Sequence, residues 1–276
     1  MKGVFETLRI VVERGVPRAP LWPRHRARAL DSLRALGIQS DVLAALAPRL
    51  DAALAAAIAS PSADAGLRVR VHVEDGRPRI ECSPRALPGS GAPLRVQILP
   101  APWQAPDPSH KLLDRRTWER LEASARARGA AEALTLRRDG TLGETSRGNL
   151  LLLLDSVFAT PPLDGTILPG IARAVLLEGL RARGRRVDER PVGLDEFAGA
   201  TGLWSTNALA GPRVIRAPRD PAEAALPASI WAAALAEAAA AGPASQADAG
   251  AALDSAAGTG RNSRHADEGD ARRASG

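Results

Sequence analysis

Tyrosine is absent from this 276-residue chain, and three phenylalanines and five tryptophans are its only aromatic residues. That is too little ring surface for a protein whose main task is stacking bases. A single cysteine, Cys82, rules out an intrachain disulfide, so a reducing, cytoplasmic setting is the expectation. No apolar run approaches the ~18 residues of a membrane span. The longest strongly apolar stretch, residues 149–154, is strand-sized. The opening MKGVFETLRI lacks the apolar centre of a secretory signal. The four histidines (His25, His72, His110, His265) lie far apart, and without paired cysteines they offer no metal-ligand spacing.

Lysine is also nearly missing. Of 37 basic residues only Lys2 and Lys111 are lysines, and the rest are arginines. The net charge of +6 comes from arginines interleaved with Asp and Glu, a pattern of solvated faces rather than of a nucleic-acid track. Neither nucleic acid nor membrane is therefore an expected partner. An amine that must lose its proton cannot be replaced by a guanidinium. Lys111 is the one lysine away from the terminus, and hence the one internal candidate for amine chemistry.

The apolar content of 45% supports a real core, and the length suits one large domain or two small ones. Pro23–Gly37 has Leu30, Leu33 and Leu36 at helical spacing, and Ser40 opens a second helix with Leu43, Leu46, Leu50 and Leu54 on one face. After a loop at 61–66, Leu67–Glu74 alternates as a strand, Asp75–Gly76 turns it, and Arg79–Cys82 returns. Another strand is expected at Leu94–Leu99. Pro100, Pro102, Pro106 and Pro108 then mark a connection between lobes. A helix is expected from Lys111 to Arg128, followed by strands at Glu132–Arg137, Asn149–Leu154 and Val157–Thr160. Next come a helix at Ile171–Arg183 and strands at Val187–Arg190 and Gly202–Thr206. The fold class is α+β. The expected division is 1–100 as a small α/β lobe, 101–109 as the connection, 110–217 as the second lobe, and 218–276 as an alanine-rich tail. That tail is partly helical over 221–241 and disordered beyond.

Three segments carry possible chemistry: Ser109-His110-Lys111, the stretch Gly140–Leu150 with Glu144 and Asn149, and Leu168-Pro169-Gly170-Ile171-Ala172-Arg173. The last supplies free backbone N–H groups where a helix begins, which suits an anion. Arg68, Arg70 and His72 share one strand face, which either lines a site and meets a carboxylate or faces solvent. Trp118 and His110 read as packing residues, and Cys82 as inert.

Taken together and in order, these segments resemble the class IV aminotransferases, the fold-type IV enzymes that use pyridoxal 5′-phosphate (PLP). Lys111, Glu144 (33 residues on), Asn149 and Leu168–Arg173 match that family's pattern. So do 130–136, 160–163, 187–191, Phe5-Glu6-Thr7-Leu8-Arg9, Arg24-His25 with Arg28, and 204–215. The resemblance spans about residues 4–216. It implies two lobes, the second β-barrel-like, with the site between them and a homodimer. Lys111 would form the Schiff base and shuttle protons, and Glu144 would keep the pyridine nitrogen protonated. Asn149 would be a support or a turn residue. The amides of Ile171 and Ala172 would hold the phosphate, together with Arg24. Asn207 and Ala208 would form the last phosphate and substrate loop, and Arg68 or Arg70 would take a substrate carboxylate. The family often has threonine where Ala172 stands. It also usually has a strand and a Gly-rich turn before the Phe5–Arg9 segment, so the resemblance implies a late start or a trimmed small lobe.

Within the family, the absence of tyrosine, Arg116 where a tyrosine would stand, the His110-Lys111 pair with Arg115, and Asn207-Ala208-Leu209 look like 4-amino-4-deoxychorismate lyases of folate biosynthesis. Those enzymes release 4-aminobenzoate and pyruvate. The alternatives are a branched-chain or D-amino acid aminotransferase, or an inactive homologue.

Overall fold

The computed structural model describes residues 2–59, 65–89, 92–101 and 108–241. Alternation of apolar and polar residues builds the first sheet, with strand order β2-β1-β3-β4. Its members are β1 (Lys2–Glu13), β2 (Val16–Arg18), β3 (Ala65–Glu74) and β4 (Arg77–Arg85), all antiparallel. Two tight turns close its hairpins. Asp75 and Gly76 both take positive φ, as do Arg14 and Gly15, the backbone that two-residue hairpin loops require. The expected opening strand at Phe5–Arg9 is thus longer at both ends, since β1 pairs with β3 from Lys2 to Ile10.

Helices α1 (Trp22–Ala35) and α2 (Ser40–Ala57) cover one face of this sheet. Val4, Leu8, Val69 and Val71 from the strands meet Leu33, Leu46 and Leu50 from the helices in one buried cluster. The period of four along α2 puts Leu43, Leu46, Leu50 and Leu54 inside, as its spacing predicts. The loop expected at 61–66 lies mostly outside the described residues, and β3 already begins at Ala65.

The second lobe has two sheets. One has the order β10-β9-β8-β11-β12, from β8 (Asn149–Leu154), β9 (Val157–Thr160), β10 (Arg186–Glu189), β11 (Gly202–Asn207) and β12 (Gly211–Arg216). The other joins β5 (Val96–Pro100), β6 (Glu132–Leu136) and β7 (Leu142–Thr145). Their shared core holds Leu134, Leu142, Leu150, Leu152 and Leu203. Strand β5, expected within the first lobe, pairs in parallel with β6, and its last residue is Pro100. Proline there needs no N–H because the strand ends. Residues 102–107 of the expected connection lie outside the described residues.

Helices α3 (Arg116–Ala127), α4 (Ile171–Ala182) and the short α5 (Leu194–Gly199) complete this lobe. The helix expected from Lys111 starts only at Arg116. Residues 221–240, expected to be at most partly helical tail, form a continuous helix, α6 (Pro221–Ala240), capped by Asp220. Its Ile230, Trp231 and Leu235 are buried with Val175, Leu176 and Leu180 of α4. Sparse large side chains at helical spacing are enough to seat an alanine-rich helix whose other faces need no partner. The tail expected beyond it, 242–276, lies outside the described residues. No helix among the described residues is long and apolar enough to cross a membrane.

Candidate active site

Strand β1 arranges one side of the site. Its alternation sends Phe5 and Thr7 to the face opposite the helices, while Glu6 points under the sheet towards α1. The segment after residue 107 then docks on the edge of β1. The Phe5 amide donates to the Lys111 carbonyl at 3.0 Å, the Leu113 amide donates to the Gly3 carbonyl at 3.0 Å, and Leu112 bridges Val4. This leaves the Lys111 Nζ 4.8 Å from the centre of the Phe5 ring. Burial lowers the lysine to about 7, Arg28 and Arg115 push the same way, and Glu6 and Glu144 oppose them. Near neutral pH a large share of this amine is therefore unprotonated.

Beneath Lys111 lies a buried ion pair. The Glu6 carboxylate accepts from Arg28 Nε at 2.9 Å and from Arg28 NH2 and His25 Nδ1 at 2.6 Å each. Burial alone would raise the Glu6 carboxyl, but Arg28 and then His25 outweigh it and hold it at about 2. Arg28 NH1 reaches across to the Pro169 carbonyl at 2.9 Å, which ties the first lobe to the start of α4.

Glu144 comes from β7, on the opposite side. Its Oε2 accepts from Asn149 Nδ2 at 3.0 Å and from the Leu168 amide at 3.2 Å. The same Asn149 nitrogen donates to the Leu168 carbonyl at 2.9 Å. Burial raises Glu144 to about 8 against these hydrogen bonds and the nearby Lys111. Two donors occupy Oε2, so a retained proton belongs on Oε1. Gly170 is required where it stands, because a Cβ there would overlap Asn149 Oδ1.

Between these walls lies a cavity of about 780 Å³, lined by Phe5, Lys111, Glu144, Asn149 and Ile171 among others. The turn from Asn207 to Ala210 forms one rim, and Asn207 Oδ1 shapes it by accepting from the Leu209 and Ala210 amides at 3.1 and 2.9 Å. The outer wall is rich in arginines, set among the carboxylates Asp114, Glu119, Glu122 and Glu132. Arg68, Arg85, Arg115 and Arg147 all face the cavity. Arg115 and Arg147 share the buried Glu122, at 3.3 and 2.8 Å. Arg68 donates to Thr7 Oγ1 at 3.2 Å and has no carboxylate partner among the described residues. Burial, then the neighbouring Arg85, Arg70, Arg115 and Arg147, lower Arg68 to about 10.

Most of the candidates read from the sequence converge here: Arg68, Lys111, Glu144, Asn149, Ile171, Asn207 and Ala208 line one cavity. Three do not. Arg24 makes a two-pronged pair with Glu178 at 2.8 and 2.9 Å. One turn further on, on the same face of α1, Arg28 lines the cavity itself, while Arg24 lines a smaller adjoining pocket with Pro169, Gly170 and Ile171. Arg70 is taken up by Glu81 at 2.8 Å and Ser83 at 3.1 Å. The Ala172 side chain is buried in the core behind Ile171. Phe5, Thr7, Arg115 and Arg147 were not singled out as site residues, and His110 and Trp118, read as packing residues, also line the cavity. Among the described residues no group of side chains is arranged to hold a metal ion.

A family model for class IV amino-transferases matches residues 3–217, which takes in every wall of this cavity. The chain belongs to the class IV aminotransferases. A chloroplastic branched-chain-amino-acid aminotransferase of Arabidopsis thaliana is 36% identical over 89 residues, 32% of this chain and 21% of that protein. The chain thus matches only about a fifth of that relative's length. A branched-chain aminotransferase of Thermoproteus uzoniensis superposes with a TM-score of 0.72 at 20% identity, covering 85% of this chain and 86% of that one. A putative 4-amino-4-deoxychorismate lyase of Legionella pneumophila does so with a TM-score of 0.65 at 20% identity, covering 86% and 91%. These two likenesses are of fold.

Class IV aminotransferases are PLP-dependent enzymes. The donor set of the cavity fits that cofactor. A lysine amine that loses its proton near neutrality suits the aldehyde, and a carboxyl with a free Oε1 suits the ring nitrogen. The start of α4, with Gly170 opening it in extended backbone, offers amides to the phosphate.

Proposed function

We propose that the chain is a PLP-dependent lyase acting on 4-amino-4-deoxychorismate, giving 4-aminobenzoate and pyruvate. The observation that carries this choice is the arginine-rich wall. Arg68 has no carboxylate partner among the described residues, shares the cavity with Arg28, Arg85, Arg115, Arg147 and Arg213, and lies 4.9 Å from the ring that also faces Lys111. A half-buried guanidinium among like charges favours a ligand that brings negative charge. The lyase substrate brings two carboxylates, whereas a branched-chain amino acid brings one and an aliphatic side chain.

When bound, PLP supplies an electron sink for charge that develops on the amine-bearing carbon of the substrate. The chain's own groups do the rest. The Lys111 Nζ, unprotonated in part near pH 7, takes the proton from that carbon and returns one to the product. The Glu144 Oε1 holds a proton against the ring nitrogen, and Asn149 and the Leu168 amide keep the carboxyl in place. Arg68, with Arg115 and Arg147 on the same cavity, would hold the substrate carboxylates. Phe5 packs against the substrate ring and keeps water off the amine.

The second reading is a branched-chain aminotransferase, favoured by the 36% identity to the Arabidopsis enzyme over 89 residues. Purified protein loaded with PLP and given aminodeoxychorismate should release 4-aminobenzoate and pyruvate. Transfer of the leucine amine to a keto acid, with no 4-aminobenzoate formed, would overturn the lyase reading in favour of the second. The reading includes a homodimer, to be checked by sedimentation velocity.

A further inference from the structure

The two backbone segments that open onto the cavity share a support outside the family pattern. The family match ends at residue 217, and α6 begins at Pro221. Ile230 seats in the space left by Gly179 of α4, where a Cβ would overlap it. One residue on, the Trp231 indole lies over Gly211, which follows the Asn207–Ala210 turn. Gly211 takes φ +73°, and a Cβ there would fall 2.5 Å from Trp231 Cδ1. Ile171 and Ala172 of α4, Trp231, and the partly buried Ala208 belong to a single apolar cluster. One face of α6 therefore packs both on α4, at Gly179, and on the turn after β11, at Gly211.

The turn has its own internal bonds from Asn207 Oδ1, but these fix its shape and not its place. Its place depends on what packs behind it. The Trp231 Nε1 is buried with no hydrogen-bond partner. The residue thus contributes bulk and shape rather than a polar contact.

We propose that Trp231 is a positioning residue that sets the Asn207–Gly211 turn against the N-terminus of α4, so that the amides of both converge on one phosphate. The proposal rests on the reading that these amides hold the PLP phosphate. Ligand donors have to be held within about 0.5 Å of their working positions, and this contact is where the two segments gain a common reference.

The test is the dissociation constant for PLP, measured by absorbance titration of the full chain, beside the melting temperature without cofactor. Trp231→Ala should weaken PLP binding by about tenfold or more. Leu235→Ala, one turn along in the same cluster, should lower the melting temperature comparably and leave PLP affinity unchanged. Trp231→Phe should restore affinity, since the indole N–H makes no bond. If Trp231→Ala does not fold, Gly211→Ala presses on the same contact from the other side and should show the same selective loss. Equal PLP affinity in Trp231→Ala and the parent, or equal losses in the Trp231 and Leu235 variants, would overturn the proposal. Failure of the parent chain to bind PLP would instead overturn the reading of the site itself.

Discussion

Asn149 Nδ2 donates to Glu144 Oε2 at 3.0 Å and, with the same nitrogen, to the Leu168 carbonyl at 2.9 Å. One side chain thus fixes the carboxyl of β7 to the segment that opens α4. Asn149→Ala removes a donor from a buried carboxyl and leaves the Leu168 carbonyl without it. A loss of about 1–3 kcal/mol is expected from unmade buried hydrogen bonds, read by urea unfolding, with weaker PLP binding alongside. Unchanged stability and unchanged affinity would show that Asn149 is only a turn residue.

Lys111→Arg should keep the fold, because the backbone of residue 111 is what docks on β1. The guanidinium cannot lose its proton at working pH. Circular dichroism should match the parent, while the borohydride-reducible link to the cofactor and turnover are both lost. Turnover at the parent rate would refute the assignment of Lys111.

The pH dependence of Glu144 has a definite sign. Its folded value of about 8 lies above the ordinary 4.5, so the folded state holds a proton that the unfolded chain releases. Its contribution is fully present below pH 4.5 and is lost as pH rises through about 8. Glu144→Gln removes that loss. In cofactor-free protein, the melting temperature of the variant relative to the parent should rise between pH 4.5 and pH 8. A flat difference across that range would contradict the buried, protonated carboxyl.

Arg24 and Arg28 lie one helical turn apart and should behave differently. Arg24→Gln breaks an exposed pair with Glu178, worth about 0–1 kcal/mol. Arg28→Gln leaves the buried Glu6 uncompensated and should cost about 3–5 kcal/mol. PLP affinity should fall only in the Arg28 variant. An equal effect of both substitutions, in calorimetry and in PLP titration, would place Arg24 back in the site.

Arg68→Met keeps the apolar stem over Phe5 and removes the charge. If it binds a substrate carboxylate, the loss of a charge-assisted bond of about 1.5–3 kcal/mol raises KM by about 10–100-fold. The Arg70→Met variant should leave KM unchanged, since Arg70 serves Glu81. Steady-state kinetics with aminodeoxychorismate separates the two, and an equal KM for the Arg68 variant and the parent would remove it from the substrate site.

Much of this was legible in the sequence because the signals were periodic. The alternation Leu67–Glu74, the leucines of α2 and the Asp75–Gly76 turn each state a local geometry, and the structure repeats them. The order Lys111, Glu144, Asn149, Leu168–Arg173 pointed to the cavity through its resemblance to the class IV pattern, which no single one of these motifs would have carried. Contacts between distant segments left no such mark. Nothing in residues 108–115 announces docking on β1, and nothing in Val96–Pro100 states that its partner is β6. Arg24 was preferred to Arg28 because the resemblance puts an arginine immediately before the helix histidine; the two share a face of α1, and only the contact of Arg24 with Glu178 and of Arg28 with Glu6 tells them apart. The alanine-rich Pro221–Ala240 lacked the density of large side chains that usually marks a packed helix, though Ile230, Trp231 and Leu235 suffice.

The docking of residues 111–113 on β1 has a mechanical consequence. By chain order Lys111 falls with the second lobe, yet its backbone hydrogen bonds go to the first. Glu144 and the start of α4 belong to the second. The amine of Lys111 and the carboxyl of Glu144 are thus held by backbone on opposite sides of the gap between the lobes, and the distance between them is set by how the lobes pack. The Arg28–Pro169 bond is a latch across that gap.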